Sequence, residues 1–178
     1  MPDEPPDFTS LQFRPAQAKD GATLWKIVRD AGTLELNSAY FYLVFASDFG
    51  DTCLIAERDG QAVGCIVGYR PPRDPEAAFV WQIGVSPEMR GQGLGKTMLR
   101  HWLSLPAVRE ARWLTATISD DNEASRRIFA SIARELGGAC EVSPHFTEDL
   151  FPQAHPAEPI YRVGPLTARQ ENAESRHN

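Results

Sequence analysis

The chemistry in this sequence is concentrated in one stretch, Val85-Ser-Pro-Glu-Met-Arg-Gly-Gln-Gly-Leu-Gly-Lys96. It reads as a buried strand running into a glycine-rich turn that opens a helix. Glycine lets the backbone come close to a bulky anion, and the unpaired N–H groups of a helix's first turn, with its dipole, can hold a diphosphate. A phosphate-bearing cofactor is expected here. Three phosphate-binding patterns compete, and spacing separates them. A Walker A loop needs glycine five places before Gly95-Lys96-Thr97, where the chain has Arg90. A dinucleotide G-x-G-x-x-G beginning at Gly91 needs glycine where the chain has Lys96. The pattern that fits is Arg-x-x-Gly-x-Gly, met by Arg90, Gly93 and Gly95. A turn that only packs a helix against a strand is the plainer alternative. The glycines at 91, 93 and 95 weigh against it, since each adds a backbone-entropy cost unless something approaches closely.

Apolar periodicity outlines the elements that must position this loop. Leu11–Arg14 reads as a short strand, and Ala18–Ala31 as a helix closed by Gly32, with Leu24, Ile27, Val28 and Ala31 at helical spacing. Thr33–Phe45 mixes polar groups with aromatics and reads as a loop plus a short helix. Thr52–Glu57 and Gln61–Tyr69 flank Arg58-Asp59-Gly60 as an antiparallel hairpin. Phe79–Val85 is a strand stopped by Ser86-Pro87, and Gln92–Leu105 is a helix turning Leu94, Met98, Trp102 and Leu105 inward. Trp113–Ile118 is a further strand, and Asn122–Leu136 a helix terminated by Gly137-Gly138. Short strands follow near Cys140–Phe146 and Pro159–Val163. This order gives an α/β fold, a mixed, mostly antiparallel central sheet of about six to seven strands flanked by helices.

A chain of 178 residues suits one domain. It is expected to run from 11 to 166, between a proline-rich N-terminal tail (1–10) and a polar C-terminal tail (167–178), both disordered. The formal net charge of −6 argues against a general role on nucleic acid, which needs a concentrated basic surface. Cys53, Cys65 and Cys140 show neither CxxC spacing nor a nearby histidine, so buried thiols are expected and a metal is not. The N-terminus lacks the basic and apolar runs of a secretion signal, and no apolar run approaches the roughly 20 residues that span a bilayer. A cytoplasmic location, away from membranes, is expected.

The Arg90-x-x-Gly93-x-Gly95 loop, with a strand before it and a strand and Asn-led helix after it, resembles the coenzyme A pyrophosphate loop of the GNAT family of N-acetyltransferases. The resemblance implies acetyl-coenzyme A as co-substrate and direct attack of an amine on the thioester held beside it. It assigns Val85, Arg90, Gly91, Gln92, Gly93, Gly95 and Lys96 to the cofactor. Asn122 matches a cofactor-contacting asparagine and also reads as a helix N-cap. In the family the strand matching Phe79–Val85 splays from its neighbour, so the N–H groups around Ile83–Val85 receive the pantetheine and polarise the carbonyl. Phe129, seven residues after the asparagine, stands where many members carry the tyrosine that protonates the departing thiolate. A thiol pKa near ~8.5 leaves water or another tyrosine as adequate donors. A homodimer paired through sheet edges is expected by analogy.

Further strings resemble one branch of that family, the L-2,4-diaminobutyrate acetyltransferases of ectoine biosynthesis. They are Thr33-Leu-Glu-Leu-Asn-Ser-Ala-Tyr40, Asp51-Thr-Cys53, Tyr69-Arg-Pro-Pro72, Phe79-Val-Trp-Gln82 and Asp121-Asn-Glu-Ala-Ser-Arg-Arg127. The branch implies acetylation of the 4-amino group of a small diamine. Such a substrate asks for an acid, amide or hydroxyl groups and an aromatic wall. Glu35 for the α-ammonium, with Asn37, Ser38 and Tyr40, supplies that set, although a solvated loop carboxylate is an equal reading of Glu35 alone. Trp81 lines the pocket or fills the core, and Gln82 alternates to the opposite side of its strand. Because only an unprotonated amine attacks, a base is required, and His145 and Glu148 are the candidates, against a surface role for His145. Two rival readings are the same fold acting on another amine or a protein lysine, and a non-catalytic acetyl-coenzyme A sensor.

Overall fold

In a computed structural model the chain is described at residue 8 and over residues 10–166. The expected tails fall, apart from residues 8 and 10, outside the described residues. The elements run β1 (Leu11–Pro15), α1 (Gly21–Ala31), α2 (Ala39–Asp48), β2 (Leu54–Arg58), β3 (Gln61–Tyr69), β4 (Ala77–Val85) and α3 (Leu94–Trp102). They continue with β5 (Trp113–Thr117), α4 (Glu123–Leu136), β6 (Ala139–Phe146) and β7 (Glu158–Gly164). The seven strands form one sheet in the order β1-β2-β3-β4-β5-β7-β6. Pairing is antiparallel in β1/β2, β2/β3, β5/β7 and β6/β7, and parallel where Ala77–Phe79 of β4 meets Trp113–Thr115 of β5. The mixed, mostly antiparallel sheet with four α-helices agrees with the expectation.

Element ends have local causes. The β2–β3 turn carries positive φ at both Asp59 (51°) and Gly60 (75°), as a tight hairpin turn of the primed type requires. α3 starts at Leu94 instead of Gln92 because Gly91 and Gly93 sit at φ 72° and 81°, which no helix accommodates. Thr52, expected in β2, belongs to a short 3-10 turn, where its hydroxyl lies within reach of two acceptors, the carbonyls of Phe49 at 3.0 Å and Gly68 at 2.8 Å.

The chain divides into two compact units that share β4. One runs to Tyr69 and resumes over Trp81–Ala107, and the other comprises Arg70–Val80 and the chain from Val108 onwards. In the first unit alternate residues of β3 face opposite helices, as the pleat dictates. Cys65 and Val67 join Leu24, Ile27 and Val28 of α1 and Tyr42 and Ala46 of α2 in one core cluster. On the other side a Cβ at Gly64 would lie 2.7 Å from the Met98 sulfur of α3, so glycine sets how closely that helix approaches. The Trp102 indole donates to the Thr52 carbonyl at 2.8 Å, which satisfies the one polar atom of a buried ring. Arg14 clamps Asp20 and Glu57, each at 2.7 Å, and its hydrogen bonds hold the Asp20 carboxyl below the ordinary range.

In the second unit Phe129, Ile132 and Ala133 form the buried side of α4, which packs on β6 and β7. Arg162 lies 4.5 Å from the Trp113 ring centroid and pairs with Asp74 at 2.8 Å. β6 is the last strand of the sheet, and Val142 and Phe146 on it are exposed.

Candidate active site

The glycine-rich turn belongs to the first unit. β4 ends at Val85, a short 3-10 turn covers Pro87–Met89, and Gly93 is the N-cap of α3 without any side-chain cap. The first-turn N–H groups of α3 are therefore not taken by a capping side chain, and the dipole of the helix makes them attractive to an anion. Gly91 and Gly93 are both left-handed, and a Cβ built on either meets no atom within 4 Å. The turn is thus open where a diphosphate would sit, and its backbone conformation strongly disfavours any side chain there. Two side chains close the turn from behind. The Gln92 amide donates to the Glu88 carbonyl at 2.9 Å, and the Arg90 guanidinium donates to the Ala31 carbonyl at the end of α1. Arg90 is placed to brace the loop against the negative end of α1, which is a different use from a direct phosphate contact. Gly95 is buried in the first turn of α3, and Lys96 beside it is half-buried.

The acceptor-side residues of the same unit gather around α2. The Ser38 hydroxyl accepts from Phe41 N–H at 3.2 Å, so its side chain caps the helix. Tyr40 is 75% exposed, and Glu35 presents an exposed carboxylate. Ahead of α2 the backbone is pinned from inside the protein. Tyr42, fully buried, donates its hydroxyl to Gln82 Oε1 at 2.9 Å and accepts from Asn37 N–H at 3.4 Å. Gln82 Nε2 donates to the Glu35 carbonyl at 2.6 Å. Burial raises the Tyr42 phenol's pKa, so it remains a donor at neutral pH.

β4 settles which of two neighbours faces outward. Gln82 is 6% exposed and Trp81 46% exposed. Trp81 lies 5.4 Å from Phe41 and 6.3 Å from Phe45, centroid to centroid, and Phe45 in turn lies 6.3 Å from Tyr69. A partly exposed array of π faces of this kind attracts an ammonium group. Ile83 and Val85 follow on the same strand, half-buried.

The second unit holds the remaining candidates. Asn122 Oδ1 accepts from Ser125 N–H at 3.1 Å, an N-cap in the ordinary sense. Phe129 is 1% exposed and makes an edge contact with Tyr161 at 6.5 Å. His145 and Glu148 are exposed, with the His145 ring 4.3 Å from Phe146. A cluster not singled out in the sequence lies a few residues on. The Thr117 hydroxyl donates to Glu158 Oε2 at 2.7 Å, and Glu158 Oε1 lies 3.8 Å from His155 Nε2. His155 Nδ1 is 2.7 Å from the Pro156 carbonyl, which can only accept, so the network puts the hydrogen on Nδ1. Nothing periodic marks this segment, Phe151-Pro-Gln-Ala-His-Pro-Ala-Glu158, so no pattern in the chain points to it.

The cysteines offer no rival chemistry. Burial pushes the Cys53 thiol up to about 11 and the Cys65 thiol up to about 12, so neither supplies a thiolate nucleophile. Among the described residues no group of His, Cys, Asp and Glu could hold a metal ion, and no helix is long and apolar enough to cross a membrane.

Comparison with known proteins bears on this geometry. Residues 22–133 match the sequence model described as the acetyltransferase (GNAT) family. The chain is 40% identical over 154 residues to L-2,4-diaminobutyric acid acetyltransferase from Nocardia farcinica, covering 86% of this chain and 80% of that one. It is 41% identical over 162 residues to the protein of the same name from Streptomyces coelicolor, covering 89% and 95%. Among solved structures, the diaminobutyrate acetyltransferase from Paenibacillus lautus, in complex with its substrate L-2,4-diaminobutyric acid and coenzyme A, superposes with a TM-score of 0.83 at 38% identity. That match covers 88% of this chain and 96% of the other.

Proposed function

Since the chain belongs to the acetyltransferase (GNAT) family, we propose that it transfers an acetyl group from acetyl-coenzyme A to the 4-amino group of L-2,4-diaminobutyrate. The product is N4-acetyl-L-2,4-diaminobutyrate, for ectoine biosynthesis. The observation that carries the proposal is the likeness, over 88% of this chain, to the Paenibacillus lautus enzyme, whose structure holds that diamine and coenzyme A.

The local chemistry supports it. The uncapped N-terminus of α3 and the open glycine turn suit a diphosphate, with Gly91, Gly93, Gly95 and Lys96 around it and Arg90 and Gln92 bracing it. Backbone N–H groups at Ile83–Val85 take the pantetheine and polarise the thioester carbonyl, and the family resemblance adds Asn122 and Phe129 to the cofactor residues. Glu35 takes the α-ammonium, Asn37, Ser38 and Tyr40 the remaining polar groups, and Trp81 the alkyl chain and amine. The 4-ammonium, with an ordinary pKa near ~10.4, must lose a proton before it attacks. The family resemblance offers His145 to receive it, and His145→Ala tests that assignment. The amine nitrogen then bonds to the acetyl carbon as the carbon–sulfur bond breaks, and the second nitrogen-bound proton leaves with the thiolate. We place the reaction in the cytoplasm, in one domain over 11–166 and in a homodimer. The exposed Val142 and Phe146 on the edge strand β6 support the homodimer, and light scattering reads it directly.

The test is thiol release from acetyl-coenzyme A with L-2,4-diaminobutyrate, against ornithine, lysine, spermidine and lysine peptides, with the product identified by NMR. Preferential acetylation of diaminobutyrate at its 4-amino group is the expected result. Turnover only on another amine retains the family chemistry and discards the acceptor, and binding of coenzyme A without any turnover discards the enzyme.

A further inference from the structure

Two buried polar side chains in the first unit have no part in the chemistry described so far. Tyr42 lies among Phe41, Leu43, Val44 and Phe45 of α2, and Gln82 on a strand beside Ile83 and Gly84. Burying a phenol and a carboxamide is unfavourable unless each finds partners. Here the partners are each other and two backbone groups of one short loop, the Asn37 N–H and the Glu35 carbonyl. Because the Glu35 carbonyl can only accept, the Gln82 amide must turn its NH2 towards it. Its oxygen then faces Tyr42, and the relay has a single consistent direction. Loop backbone is ordinarily satisfied by water. This loop is tied instead to β4, next to Trp81 and one residue before Ile83.

We propose that Tyr42 and Gln82 are positioning residues that determine substrate length. Resting on the reading above, in which Glu35 holds the α-ammonium and β4 presents the acetyl group, the relay fixes the distance between the two ends of the diamine. The ligand class it selects is an α,ω-diamino acid with two methylene groups between the α-carbon and the reacting nitrogen. Homologues one methylene shorter or longer put the amine out of line with the thioester.

The experiment compares 2,3-diaminopropionate, 2,4-diaminobutyrate and ornithine as acceptors for the wild type, Tyr42→Phe and Gln82→Glu. Tyr42→Phe keeps the ring and deletes the hydroxyl. Gln82→Glu keeps an acceptor for Tyr42 and deletes the donor to the Glu35 carbonyl. In both, the preference for diaminobutyrate, as a ratio of kcat/KM values, is expected to fall about tenfold, within the range that one methylene contributes. The loss should appear in KM for the diamine while KM for acetyl-coenzyme A stays unchanged. The double variant should be no worse than the poorer single one, since both act through one network. Circular dichroism reports folding, and if Tyr42→Phe does not fold, Gln82→Glu decides alone. Discrimination that stays at the wild-type ratio in a folded variant, or a kcat that falls equally for all three acceptors, overturns the inference. A wild type without activity on diaminobutyrate overturns the functional reading itself, which is a different outcome from a selective wild type with equally selective variants.

Discussion

Replacing Gly93 by glutamate would bring a carboxylate to the turn in front of α3. Gly93 has φ 81°, and a Cβ there meets no atom within 4 Å. A side chain is therefore strained by the left-handed backbone alone, at about 1–2 kcal/mol, without a clash to add to it. A unit charge ~5 Å from one phosphate charge, at an effective dielectric of ~20, opposes binding by about 3 kcal/mol. That corresponds to a loss of affinity on the order of a hundredfold. Glutamine at the same position adds equal bulk and equal strain but no charge, so the Glu–Gln difference isolates the electrostatic part. Titration calorimetry with coenzyme A, alongside thermal denaturation, measures both. We expect equal small losses of stability and a further hundredfold weaker binding for Gly93→Glu, with the gap narrowing as salt is raised. Equal affinity of the two variants for coenzyme A would refute the placing of the diphosphate at this turn.

Phe129→Tyr restores the hydroxyl that the family resemblance expects, but the position is 1% exposed. We expect a stability loss of about 1–3 kcal/mol from an unpartnered buried hydroxyl, read by denaturant unfolding, and no gain in kcat. The Asp20 carboxyl is held low in the folded chain by Arg14, so the stability it contributes is fully present above its unfolded pKa near ~3.9 and disappears as pH falls through the lower folded value. Arg14→Met should therefore shift acid unfolding to higher pH, followed by tryptophan fluorescence; an unmoved acid limb would count against the clamp. Alkylation of the native protein at pH 8 should modify Cys140 before Cys53 and Cys65, as peptide mapping would show; burial raises all three thiols, but Cys140 is only half-buried and open to the reagent while the other two are enclosed.

What could be read from the sequence was local. The hairpin was legible because Asp59-Gly60 is a turn signal in itself, and α1 and α4 ended where Gly32 and Gly137 adopt the left-handed conformation. The turn at Gly91 and Gly93 was legible because the same glycine requirement leaves a spacing. α2 was legible only as a short helix somewhere in Thr33–Phe45, since the run Tyr42, Leu43, Val44 and Phe45 leaves no apolar stripe from which to count its ends. The relay was beyond reach for a different reason. Tyr42 and Gln82 are far apart in the chain, and neither residue type nor periodicity states that one hydroxyl will meet one carboxamide. The one hint was Tyr42 itself, because a tyrosine inside an apolar helix needs a partner for its hydroxyl. Thr117, His155 and Glu158 likewise come together only when β5 and β7 pair.

The stretch from Ala31 to Asn37 is fastened near both ends, by Arg90 at the Ala31 carbonyl and by Gln82 and Tyr42 at Glu35 and Asn37. For such a span the number of residues matters more than their kind. An inserted or deleted residue has no slack to absorb it, and either a fastening or the position of Glu35 must give way. The β2–β3 tip at Asp59 and Gly60 is exposed and bound only to its own hairpin, so extra residues can extend it into solvent. Variation in length within this architecture should accordingly collect at that tip and leave the stretch from Ala31 to Asn37 at a fixed count.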